Sequence, residues 1–161
     1  MADLSHFDEE GRSRMVDVSD KKETLREAVA HGAISMQPRT FELIQDRKIS
    51  KGDVLGVARV AGIMAAKRTA ELIPMCHPLS ITGIEILFYP DPEKSRIEIE
   101  ARVRITGKTG VEMEALTAAN VALLTIYDMC KAIDRGMRIE NVQLEEKRGG
   151  KSGVWQRGAT A

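Results

Sequence analysis

Two groups of residues in this chain have the types and spacing to move protons or hold an anion. Asp128 and Lys131 stand three positions apart, on one face of any helix containing both, with the acid N-terminal to the base. As an exposed ion pair they contribute little stability. Their neighbours Tyr127 and Cys130 are apolar positions that place part of the segment in packing, which weighs against a wholly solvated pair; by spacing alone the surface ion pair and a functional pair both stand. Lys51 precedes a helix start, where the partial positive charge disfavours an ammonium and suits a lysine that acts as a base. Glu112 and Glu114 open the helix that carries Asp128, and acids in a first turn complement its dipole. His77 sits with Met75 and Cys76 in a loop bracketed by Pro74 and Pro78, which stiffen it. Lys67 and Arg68 end an apolar run and suit either the negative end of a helix or a phosphate.

Other patterns carry less. Thr106-Gly107-Lys108-Thr109 and Gly150-Lys151-Ser152 resemble fragments of a phosphate-binding P-loop. The motif requires a glycine five residues before the second glycine, and positions 102 and 145 are Arg and Glu. Cys76, His77 and Cys130 match no zinc spacing, so no metal site is expected. RNA-recognition domains share the element order found below, but the aromatics they carry on the third strand are absent from RIEIEARVRIT.

The elements that must position these residues follow from periodicity. Thr24–Met36 reads either way: Ala28, Ala30 and Ala33 favour helix, whereas Val29 and Ile34 around Gly32 fit a strand. A short helical face follows at Phe41, Leu43 and Ile44. Ser50 resembles an N-cap for a long helix over 53–72 that is apolar nearly all round, as in an element covered on every side. Strands are expected over 81–89 and 96–105, the second alternating Ile97, Ile99, Ala101, Val103 and Ile105 with charged residues. A second helix spans 112–133, and a last strand 137–144. If the first ambiguous segment is a strand, the order is the ferredoxin-like β, helical region, β, β, α, β. The expected class is α+β: an antiparallel sheet with helices packed on one face, in an oligomer.

Composition sets the bounds. The chain has 161 residues, with 24 Lys and Arg against 24 Asp and Glu, 43% hydrophobic residues and 4% aromatic. That describes one aliphatic-cored domain that folds without staples. Zero net charge argues against general nucleic-acid binding. Two cysteines do not make a secreted disulfide scaffold, and no apolar stretch suits a signal peptide or a membrane span. The expected compartment is the cytoplasm. Residues 1–14 read as a flexible arm, 15–153 as one catalytic domain and 154–161 as a tail.

The segments MVDVS (15–19), KGDV (51–54), AGIMAAKRT (61–69), LIPMCHPL (72–79), ITGKTGVEMEALTAANVALLTIYDMCKA (105–132) and GGKSG (149–153) resemble the cyclic pyranopterin monophosphate synthase family of molybdenum cofactor biosynthesis. The resemblance covers about 15–153; Met75 departs from a more usual leucine, a volume-conserving change. It implies a lyase acting on (8S)-3',8-cyclo-7,8-dihydroguanosine 5'-triphosphate, a cyclised GTP made by a radical-SAM GTP cyclase. Cyclic pyranopterin monophosphate and pyrophosphate are the implied products. No cofactor is required for the step, and Mg²⁺ is compatible with the triphosphate. Carried over by position, Asp128, Lys51 and Lys131 are catalytic, and Met75, Cys76, His77, Glu112, Met113 and Glu114 bind substrate. Arg26, Lys67, Lys147 and Lys151 are assigned to phosphate or pocket contacts. The implied assembly is a homohexamer, a trimer of dimers with active sites at a subunit interface. The separation of Glu114 from Asp128 agrees: fourteen residues of helix span roughly 21 Å. The rival reading is a non-catalytic ferredoxin-like module that binds a nucleotide and regulates a partner.

Overall fold

The structure is a computed structural model that describes residues 10–159. Residues 1–9 of the expected arm and 160–161 of the expected tail lie outside the described residues. The elements run β1 (Thr24–Ser35), α1 (Pro38–Gln45), α2 (Val54–Lys67), α3 (Thr69–Leu72), β2 (Gly83–Asp91), β3 (Arg96–Gly107), α4 (Glu112–Cys130), β4 (Arg138–Arg148) and β5 (Trp155–Gln156). The five strands form one antiparallel sheet in the order β2-β3-β1-β4-β5, with the helices on one face. This is the expected α+β, ferredoxin-like arrangement, extended by β5, which pairs Trp155 and Gln156 with Lys147 and Glu146.

The ambiguous first segment is the central strand. Its helix-facing residues Ala28, Ala30 and Ile34 are fully buried, and a Cβ on Gly32 would lie 2.9 Å from Leu123 Cδ1 of α4. The strand carries small residues on this face because α4 lies close against it, and its alanines gave it a helical look. On β3 the expected alternation holds: Ile97, Ile99, Ala101, Val103 and Ile105 are buried. Each fully buried isoleucine or leucine contributes about 2 kcal/mol. The opposite face carries charge, with Arg102 donating to Glu27 at 3.0 Å and to Glu100 at 3.0 Å.

Helices α2 and α4 pack together, and each buries small residues: Ala58, Gly62, Ala65 and Ala66 on α2, and Ala115, Ala118, Ala119 and Ala122 on α4. A Cβ at Gly62 would stand 2.4 Å from Ile86 Cδ1 and 2.9 Å from the Ala118 carbonyl oxygen. The other side of α2 leaves Val57, Val60 and Met64 exposed. The run expected over 53–72 departs from one helix in two ways. Its N-cap is Asp53, whose carboxylate accepts from Gly56 N at 3.0 Å, and not Ser50. It also breaks at Arg68 (φ −110, ψ 13), where the Thr69 hydroxyl donates back to the Ala66 carbonyl at 3.0 Å. Helix α4 ends at Cys130, short of the expected 133. The buried Asp134 just beyond accepts from Gln37 N at 2.8 Å, Thr40 Oγ1 at 3.2 Å and Gly136 N at 3.0 Å. That carboxylate ties the end of α4 to the start of α1.

Candidate active site

Antiparallel pairing brings the start of β1, the end of β3 and the end of β4 to one edge of the sheet, because Thr24 pairs with Gly107 and Glu27 with Arg148. The first turn of α4 follows β3 directly, so it lies there too. Over this edge fold the 73–79 loop and the segment 16–22, enclosing a cavity of about 1050 Å³. Its wall contains Arg26, Met75, Cys76, His77, Glu112, Met113, Glu114, Lys147 and Lys151. Nine of the ten residues expected to bind substrate therefore meet around one space. Lys67 does not: it is exposed in the last turn of α2, among the residues that close that helix.

The wall also holds groups the sequence reading passed over. Lys21, Lys22 and Lys108 add three cations, and Asp20, Thr24, Thr109 and Ser152 add polar groups. Six basic side chains thus face the carboxylates of Asp20, Glu112 and Glu114. The hydroxyls of Thr24 and Thr109 are buried without a hydrogen-bond partner, an arrangement that costs stability unless water or a ligand meets them. The signal for Lys108 and Thr109 was present: a glycine-flanked lysine at a strand-to-helix turn suits an anion even where the full P-loop motif fails. Lys21 and Lys22 had no local signal; only the path of the chain brings them here.

Several contacts fix the wall. Lys147 Nζ donates to Glu112 Oε1 at 2.5 Å, and Arg26 Nε donates to the Gly107 carbonyl at 3.0 Å. His77 Nε2 lies 2.8 Å from the Val16 carbonyl oxygen. Gly149 (φ +94) passes over β1 so closely that a Cβ there would fall 2.2 Å from the Leu25 carbonyl oxygen. Only glycine fits such a position. Glu114 is 4% exposed. Burial pushes its carboxyl above the usual range, and the charge of Glu112 adds to the effect. Burial raises the Cys76 thiol as well, with Glu114 contributing. The cavity thus pairs a cationic rim with a buried carboxyl whose pKa is raised.

The second group lies at the far end of α4. Lys131 Nζ donates to Asp128 Oδ1 at 2.6 Å, and Lys51 Nζ donates to the Asp128 carbonyl at 3.0 Å and to Asp128 Oδ2 at 3.3 Å. The fold has brought Lys51 across from the turn before α2 to complete a cluster of three, all partly exposed. The hydrogen bond from Lys131, followed by that from Lys51, holds the Asp128 carboxyl below its usual range, and Asp128 raises Lys131 in return. Within one chain the cluster and the cavity are separated by the length of α4, roughly 21 Å from residue 114 to residue 128. Cys130 is buried in the core beneath α4, remote from Cys76 in the cavity wall. No group of three or more His, Cys, Asp or Glu placed to hold a metal occurs among the described residues.

Comparison with known proteins identifies the family of the chain. The family model described as the MoaC family matches residues 15–150. A protein of Pelotomaculum thermopropionicum named cyclic pyranopterin monophosphate synthase is 66% identical over 157 residues, 98% of this chain and 92% of its own length. Proteins of the same name from Chloroflexus aurantiacus and Thermomicrobium roseum are 62% and 59% identical, covering 96% and 98% of this chain and 95% of each relative. The matched span contains both the Asp128 cluster and nearly all of the cavity wall, and on that match the chain belongs to the MoaC family.

Proposed function

We propose that this protein is a lyase-type synthase of molybdenum cofactor biosynthesis. It converts (8S)-3',8-cyclo-7,8-dihydroguanosine 5'-triphosphate into cyclic pyranopterin monophosphate and pyrophosphate. The carrying observation is the cavity itself, where six basic side chains surround the buried carboxyl of Glu114, whose pKa burial raises. A triphosphate calls for such cations. The ring system calls for hydrogen-bonding groups such as His77 and Glu114. The substrate's rings open and reclose without net oxidation, and a substrate hydroxyl then attacks the innermost phosphorus as pyrophosphate leaves. The step requires no redox cofactor; Mg²⁺ is compatible with the triphosphate.

The proton transfers fall to the second cluster. Asp128 as carboxylate accepts, Lys131 donates, and Lys51 serves as the further proton-transfer group. A cavity and a cluster roughly 21 Å apart along one helix do not share a small substrate within one chain. In the reading that joins them, the cluster of one protomer faces the cavity of its partner in a homohexamer built as a trimer of dimers. The apolar residues Val57, Val60 and Met64, exposed on α2, support a covered face. Lys67 joins the phosphate contacts only in such an assembly. A radical-SAM GTP cyclase supplies the substrate, and the cytoplasm is the compartment; no described helix is long and apolar enough to cross a membrane. The regulatory nucleotide-binding module is not favoured, because it leaves the Asp128 cluster without a task.

The test is to mix purified protein with the cyclised GTP and follow pyrophosphate release, together with pterin fluorescence after oxidation. Wild type gives both signals, and Lys51→Ala loses about 10²-fold or more in turnover while remaining folded. Binding without pyrophosphate release from wild type would refute the reading.

A further inference from the structure

The segment 16–22 has neither helix nor strand, yet it forms one side of the cavity through Val16, Val18, Lys21 and Lys22. It is shaped internally and pinned externally. The Asp17 carboxylate accepts from Ser19 N at 2.8 Å and Ser19 Oγ at 2.6 Å, and Lys21 N donates to the Val18 carbonyl at 3.0 Å. These are two local turns that need no tertiary partner. The external pins are two side chains of the cavity wall. Lys108 Nζ donates to the Ser19 carbonyl at 2.7 Å, and His77 Nε2 meets the Val16 carbonyl at 2.8 Å.

The second pin has a chemical consequence. A carbonyl oxygen only accepts, so His77 Nε2 must carry the hydrogen. In the neutral ring the partner nitrogen Nδ1 then has none and is an acceptor. The strap thereby chooses which tautomer the cavity contains. We propose that Lys108 is a positioning residue: by clamping Ser19 it holds the Val16 carbonyl on His77 Nε2, and so fixes His77 as a hydrogen-bond acceptor at Nδ1, suited to a ring N–H or O–H of the substrate. The site is the one assigned to the synthase above, and the use of Nδ1 rests on that reading. The tautomer itself does not.

The experiment is therefore made without substrate. Full-length protein labelled with ¹⁵N-histidine is examined by solid-state NMR at a pH where the ring is neutral, with the His77 signals assigned by their loss in His77→Gln. Wild type is expected to show a single population protonated at Nε2. Lys108→Met is expected to show both tautomers, and Lys108→Arg, which keeps a donor, to restore the single one. With the cyclised GTP, Lys108→Met should raise KM about tenfold, as for the loss of one charge-assisted hydrogen bond. Protonation at Nδ1 in wild type, or an unchanged single tautomer in Lys108→Met, overturns the proposal, the latter even if KM rises, since a direct phosphate contact alone would do that. A protein that shows the expected tautomers but releases no pyrophosphate would overturn the synthase reading and leave the strap standing.

Discussion

Mixing two inactive variants tests the division of labour along α4. Lys51→Ala removes one member of the Asp128 cluster, and Glu114→Ala removes the buried carboxyl of the cavity at the other end of the helix. If each site takes the cluster from one chain and the cavity from its two-fold partner, a mixed pair has one site with both halves intact and one with both halves damaged. Random exchange at equal amounts makes half of the pairs mixed, so about a quarter of all sites recover wild-type composition. After subunit exchange, verified by mass spectrometry on differently tagged chains, pyrophosphate release should rise to about a quarter of the wild-type rate per chain. Both parents should stay about 10²-fold or more below it. The double variant Lys51→Ala/Glu114→Ala mixed with wild type is the control: every site of its mixed pairs has one damaged half, so only wild-type pairs stay active and random exchange at equal amounts should lower the rate from about half to about a quarter of the wild-type rate per chain. Activity that stays at the parental level despite confirmed exchange would refute the argument and require one chain to bring both ends of α4 to the substrate.

Three further perturbations follow from the packing. Asp134→Ala strips three donors of their shared buried acceptor and should cost about 3 kcal/mol, read as a Tm lower by about 10 °C; a loss within experimental error would show that water replaces the carboxylate. Gly62→Val forces a side chain against the Ala118 carbonyl and Ile86, and overpacking should cost about 2–3 kcal/mol by urea unfolding; an unchanged midpoint would mean that α2 can move away from α4 freely. Glu114 binds its proton more tightly folded than unfolded, so its contribution is fully present below the ordinary glutamate value of 4.5 and is lost as pH rises through its raised folded value. Glu114→Gln, which cannot ionise, should therefore be more stable than wild type at pH 8, with the advantage vanishing below about pH 4.5 in Tm measured against pH. A constant difference across that range would remove burial as the cause.

Much of the fold was legible in local pattern. The alternation in β3 and the apolar spacing of α4 each follow from one strand or helix burying one face, so neighbours along the chain suffice to show them. Helix ends were less legible, because their causes are not local in the same way. Arg68 breaks the helix while Thr69 bonds back to the carbonyls before it, and α4 stops where Asp134 finds donors on α1. The identity of β1 was undecidable from its own residues: its alanines suit a helix by propensity, Val29 and Ile34 around Gly32 suit a strand, and only the closeness of α4 explains why a central strand carries such small residues.

For the site, sequence alone determined the reactive types: the Asp128–Lys131 spacing, the proline-bracketed His77, the glutamates that open α4, and the family match that joins them. Tertiary structure decided what stands beside what. It carried Lys51 to Asp128 across the chain, buried Glu114 so that its pKa rises, folded Lys21 and Lys22 over the cavity and put the Val16 carbonyl on His77. The physical reason is that spacing along a helix or strand sets which side chains share a face, whereas charge state and tautomer depend on burial and on partners that only the closed chain supplies.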